Sequence, residues 1–91
     1  MINLETKIKM NKEKIKDIKD SIEGLVRHME SLTEMLSSCH SAKDITSSIF
    51  YSSKLTEDSI EVNRLLERLA VREDLLHQQL EMWGVEDETS N

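Results

Sequence analysis

The fold of this chain is decided by residues 1–39, which read MINLETKIKMNKEKIKDIKDSIEGLVRHMESLTEMLSSC. Two series of positions spaced by seven run through this stretch, and nearly all of them are apolar. The first series is Met1, Ile8, Ile15, Ile22, Met29 and Leu36, and the second is Leu4, Asn11, Ile18, Leu25, Leu32 and Cys39. An apolar stripe sustained over five heptads is typical of a helix that packs along its length against another helix.

A second heptad pattern lies near the other end of the chain. Its members are Leu55, Val62, Leu69, Leu76 and Trp83, with Leu66, Glu73 and Leu80 between them. The connecting residues 37–53 include seven serines but neither glycine nor proline. The best start signal for a second helix is Ser41, which would cap it, with Asp44 in the first turn.

These patterns predict an all-α fold, a long antiparallel helical hairpin (coiled coil) that packs into a multi-chain helical bundle. The predicted domain is a single coiled coil over 1–84, with helix one at about 3–38, a turn at about 39–44 and helix two at about 45–83. Gly84 would end helix two, and the acidic residues 85–91 would form a disordered tail. The alternative is that 38–55 continue as one uninterrupted helix, and the direction in which chains associate stays open.

Residues that face each other in an antiparallel hairpin have a constant sum of positions. A sum of 84 places Asn11 opposite Glu73, and these are the polar interruptions in the central part of the two stripes. We therefore interpret Asn11 and Glu73 as a register-setting polar pair. The interaction seam then comprises Ile8, Ile15, Ile18, Ile22, Leu25, Met29, Leu32, Leu36, Val62, Leu66, Leu69, Leu76, Leu80 and Trp83. Registers displaced by one heptad also match apolar to apolar residues.

Helix two carries more apolar surface than one neighbour requires. Ile60, Val71, Leu75 and Met82 project from nearly the opposite side to its seam. This second partner stripe predicts that helix two lies between helix one and another chain.

Composition restricts the compartment and the class of ligand. The net charge of −6 is uneven, because residues 1–30 carry +1 and residues 31–91 carry −7. This acidity argues against nucleic acid as the main ligand. The single cysteine fits a reducing compartment, and no apolar run is long enough to insert into a membrane. We expect a cytoplasmic or nuclear location.

The sequence offers no constellation suited to catalysis or to metal binding. His28, His40, His77 and Cys39 lack the paired spacing of zinc sites. The neighbouring carboxylates of Glu73 and Asp74 point about 100° apart on a helix, so they cannot share a proton. We expect no enzyme, no metal, no cofactor and no small-molecule substrate.

The pattern favours a non-enzymatic structural subunit that zips with partner helices into a larger coiled-coil complex. In composition the chain is similar to small acidic subunits of vesicle-tethering, cytoskeletal and kinetochore scaffolds. A hetero-complex is favoured, and two alternatives stay open. One is a self-sufficient homo-oligomer, dimeric or tetrameric, since isoleucine in the first series and leucine in the second favour two-stranded coiled coils. The other is an adaptor that binds nucleic acid or anionic membrane through the lysines between Lys7 and Lys19.

Overall fold

The computed structural model describes the backbone of residues 3–90 and the side chains of residues 3–84. Helix α1 spans Leu4–Ser41 and helix α2 spans Ile45–Ser90, and they pack antiparallel into a rod of 70 × 20 × 15 Å. The predicted helical hairpin is confirmed, and the alternative of one uninterrupted helix is wrong. Met1, the first member of the first heptad series, lies outside the described residues.

The reversal between the helices takes three residues, 42–44. Lys43 adopts a left-handed conformation with φ of 60°. Its N–H donates to the carbonyl of His40 at 3.1 Å, and the N–H of Asp44 donates to the carbonyl of Cys39 at 2.9 Å. This pair of bonds is a Schellman motif, which usually has glycine at the left-handed position. Because lysine occupies it here, the turn has no glycine or proline to mark it in the sequence.

Helix α2 is capped by Asp44 rather than by Ser41. The Asp44 Oδ1 atom accepts a hydrogen bond from the backbone N–H of Ser47 at 3.1 Å, whereas Ser41 is the last residue of α1. Hydrogen bonds from the side chain and the backbone N–H of Ser47 hold the pKa of the Asp44 carboxyl below its ordinary value. The predicted cap was therefore three residues too early.

Helix α1 presents both of its heptad series to α2. Five side chains are buried, namely Ile8, Asn11, Ile15, Ile18 and Leu32. Six more members are half-buried, namely Leu4, Ile22, Leu25, Met29, Leu36 and Cys39. The contact surface of α1 therefore follows the heptad from residue 4 to residue 39.

Helix α2 uses a different set of residues from the predicted one. Its half-buried series is Leu55, Val62, Leu69 and Leu76, and the positions between them are Asp58, Leu65, Arg72 and Gln79. Leu65 is 6% exposed, whereas Leu66 is 46% and Leu80 is 43% exposed. The prediction that Leu66, Glu73 and Leu80 line the seam is wrong, because α2 is rotated so that the preceding residue in each heptad faces α1.

The predicted end of α2 at Gly84 is also wrong. Gly84 has no positive φ, and the helix continues through it to Ser90. The predicted disordered tail, residues 85–91, therefore belongs to helix α2 up to Ser90. Asn91 lies outside the described residues.

Candidate interaction surfaces

A buried polar layer lies between the helices near their open end. The Asn11 Nδ2 atom donates to the carbonyl oxygen of Arg72 at 3.0 Å and to Oε1 of Gln79 at 3.2 Å. Asn11 therefore enters a hole bounded by residues two turns apart on α2, as a knob does in a coiled coil. Its Oδ1 atom is buried and accepts no hydrogen bond from the described residues.

The predicted partner of Asn11 lies elsewhere. Glu73 is exposed, and its carboxylate is 3.7 Å from the ammonium group of Lys19 on the surface. The correct partner, Gln79, is a neutral amide that both donates and accepts hydrogen bonds. A carboxylate facing Asn11 would have been buried with a full charge and no cation, which is costly.

A second polar contact fixes the middle of the hairpin. The Nδ1 atom of His28 contacts the carboxylate of Asp58, whose side chain is largely buried. Their positions sum to 86, against the predicted sum of 84. Asn11 agrees with this register, because it lies between Arg72 and Gln79 on α2.

The second partner stripe lies on the outside of α2. Ile60, Val71, Leu75 and Met82 are all exposed, and Val71 is the most exposed of them at 69%. Three exposed carboxylates, Glu67, Asp74 and Glu81, follow Ile60 along α2 at successive spacings of seven. Leu75 is the least exposed of the four at 37%, because it borders a hollow with Met10 and Lys14 of α1.

A further apolar surface, which the sequence patterns did not indicate, runs along one side of the hairpin between the two helices. We call it the groove face. On α1 it follows Lys12, Lys19, Val26 and His40, and on α2 it follows Ile45, Leu66, Glu73 and Leu80, positions separated by multiples of seven. Val26, Ile45, Leu66 and Leu80 are exposed there. These residues share one face because positions seven apart coincide on packed helices.

Each end of the groove face has an apolar hollow. Near the turn, Leu36, Ile45 and Ile49 surround a hollow of about 680 Å³ whose α2 wall includes serines. Small serine side chains leave this space because they cannot reach across to α1. Near the open end, Ile8, Leu80 and Trp83 line a hollow with the lysine stems of Lys9 and Lys12. Trp83, predicted to belong to the seam, is 41% exposed on this face.

The groups capable of chemistry lie apart from one another. His28 contacts Asp58, His77 contacts Glu81 at 3.1 Å, and Cys39 is half-buried in the seam. In the part of the chain that is described, no three metal-binding side chains cluster. Neither helix, over its described residues, has an apolar segment able to cross a bilayer.

No protein-family model, curated protein or solved structure matches this chain.

Proposed function

We propose that this chain is a non-enzymatic structural subunit whose helices pack with those of other protein chains to build a larger coiled-coil assembly. In this role the hairpin acts as a rod that sets spacing and stoichiometry, as in tethering, cytoskeletal or kinetochore-type scaffolds. The second partner stripe receives a helix of a different chain. The chain works inside the cell, in cytoplasm or nucleus, and needs no cofactor or small-molecule substrate.

The observation that carries this proposal is the distribution of apolar residues around α2. This helix buries Leu65 against α1, yet it also exposes Leu66 on one side and Val71 on the other. A helix that is apolar on several sides is normally enclosed by other helices. Helix α1 differs, because charged residues dominate its outward surface. Helix α2 is thus the element that suits the centre of a bundle, and α1 suits its outer layer.

The small core of the hairpin supports the same function. Among the described residues only five apolar side chains are buried, and none of the side chains is fully enclosed. Short chains with so little buried surface usually gain stability from partners. Helices of another chain would bury more apolar surface, and each Å² buried would contribute about 25 cal/mol of stability.

The experiment is to purify a tagged chain from its own cells at endogenous level, in wild-type and variant forms, and to measure the mass and composition of the recovered complex. The Leu75→Asp substitution should leave the hairpin helical by circular dichroism but remove the partner chain, since a charge would enter the apolar contact. Ser31→Asp is the matched control, because Ser31 is exposed on α1. Equal recovery of partner with both variants, or recovery of no other chain with the wild type, would contradict the proposal.

The adaptor function has weaker support. Glu73 already contacts Lys19, and the carboxylates of α2 lie at the same end of the hairpin as the lysines. These acids oppose binding to phosphate-rich surfaces. Binding that falls steeply with salt would favour the adaptor over the structural subunit.

A further inference from the structure

We propose that the groove face is covered by the groove face of a second copy of this chain, giving a four-helix bundle with a two-fold axis parallel to the helices. This inference rests on the proposed function, because it names the occupant of one of the faces of the hairpin. The second partner stripe stays free for a different chain.

Rows of opposite charge on the two helices lie at the same level along the rod. Lys9 and Lys12 line the same hollow as Leu80, and Lys19 contacts Glu73, so this part of α1 lies level with the C-terminal half of α2. A basic row on α1 is therefore level with an acidic row on α2. The basic row is Lys9, Lys12, Lys16 and Lys19, and the acidic row is Glu67, Glu73, Asp74 and Glu81.

The symmetry of the contact decides which helices of the two copies face each other. A two-fold axis parallel to the helices places α1 of each copy opposite α2 of the other at the same level. The basic row then faces the partner's acidic row, and the contact occurs twice. An axis perpendicular to the helices would place α1 on α1 and α2 on α2, and would not bring the two rows together. Electrostatic complementarity of this kind selects the partner and its orientation, and an isologous contact closes the assembly at two copies.

Most lysines of the basic row are available for such a contact. Among the described residues, Lys19 is the one member whose ammonium group lies within 4.0 Å of a carboxylate of its own chain. Lys9 and Lys16 are exposed, as are Glu67 and Asp74. The hairpin therefore holds these two rows side by side without pairing most of their charges.

The groove face has exposed apolar side chains and a large area. Val26, Leu66, Leu80 and Trp83 are each 40–46% exposed, and Leu80 and Trp83 line the hollow at the open end. A face 70 Å long and 20 Å wide has a projected area greater than the roughly 800 Å² per partner of a standard protein interface. Two such faces would place apolar side chains in each other's hollows and leave the charged rows at the rim, as stable interfaces do.

The test is light scattering coupled to size exclusion, over a range of concentrations, on the full chain. The expected mass is twice the chain mass of 10.6 kDa. Reversing charge on one row, with Lys9→Glu and Lys16→Glu, should weaken dimerisation at least about tenfold in Kd. Glu67→Lys with Asp74→Lys should do the same. Combining all four substitutions restores the opposite charges across the interface, and dimerisation should return.

An apolar pair of variants separates this face from the second partner stripe. Leu66→Asp should yield a helical monomer, whereas Leu75→Asp should remain dimeric, since Leu66 and Leu75 lie on different faces of α2. A helical monomer of the wild type at all concentrations would overturn the second copy as occupant. If the variant with all four charge substitutions did not dimerise, or if Leu75→Asp alone dissociated the dimer, the groove face would be excluded as the interface between copies. None of these outcomes changes the recovery of a different chain, which tests the proposed function separately.

Discussion

Asn11 on α1 reaches two turns of α2 at once, with its amide donating to Oε1 of Gln79 and to the backbone carbonyl of Arg72. At 3% and 8% exposure, Asn11 and Gln79 are the buried polar side chains of the described residues. The Asn11–Gln79 bond can form in one register only, because a shift by one heptad would put Leu4 or Ile18, both apolar, opposite the Gln79 amide. Apolar contacts alone would tolerate such a shift. The Asn11–Gln79 pair therefore supplies register specificity that the leucines and isoleucines do not.

Replacing both amides should raise stability and lower specificity. We expect Asn11→Leu with Gln79→Leu to increase the free energy of unfolding by about 1–2 kcal/mol, because apolar contacts replace two desolvated amides. The same double variant should populate several association states, seen as a spread of masses in light scattering. Asn11→Leu alone leaves the Gln79 amide without its partner and should cost about 1–3 kcal/mol relative to the double variant. A double variant that is less stable than wild type would show that the amide pair is a net stabiliser.

Two adjacent leucines test the rotation of α2. Leu65→Ala should lower the free energy of unfolding by about 2–4 kcal/mol, because it leaves a cavity against α1. Leu66→Ala should cost less than about 1 kcal/mol in the isolated hairpin, since Leu66 is already half in water. Urea denaturation of both variants at a concentration below any self-association gives the comparison. Equal losses would contradict the rotation of α2, and a larger loss at Leu66 would restore the seam predicted from the sequence.

The α1 surface could be predicted from the sequence because its signal is redundant. Ile8, Ile15 and Ile22 repeat a spacing of seven with polar residues on either side, so a single stripe satisfies the pattern. Asn11 could also be identified, since it interrupts that stripe. The hairpin followed from the presence of a second apolar stripe of similar length. Period and length are properties of the sequence alone, and they sufficed for the fold.

The rotation of α2 could not be predicted from period alone. Leu65 and Leu66 are both apolar, and counting apolar residues favoured the series with Leu80 over the series with Gln79. Contacts between the two helices decide the rotation, because Asn11 needs an amide partner and Asp58 needs a histidine partner. These terms depend on which helix faces are opposed, and spacing within one helix does not contain that information. The groove face was missed for the same reason, because it is defined by two helices together.

The Asp44 cap should make stability fall in acid. The folded-state pKa of Asp44 lies below its ordinary value of 3.8 because of the hydrogen bonds from Ser47. Its contribution is therefore complete above the unfolded pKa and is lost as pH falls through the folded pKa. Asp44→Asn keeps a good capping side chain that does not titrate. Wild type should be at least as stable as Asp44→Asn at neutral pH, and any advantage should shrink in thermal melts as the pH falls below the ordinary Asp pKa of 3.8. An advantage that persists in acid would exclude the carboxylate as its source.

The left-handed turn residue offers a stabilising substitution. Lys43 has φ of 60°, where a side chain with Cβ costs about 1 kcal/mol and glycine does not. Lys43→Gly should therefore raise the free energy of unfolding by about 0.5–1 kcal/mol, with an unchanged denaturant slope in urea melts. Ala42→Gly is the matched control, because Ala42 has φ of −81°, and glycine there should destabilise by about 0.5–1 kcal/mol. Opposite signs at these two neighbouring positions would establish the Schellman turn in solution. Destabilisation by both substitutions would mean that the chain reverses elsewhere, and the hairpin register would then have to change with it.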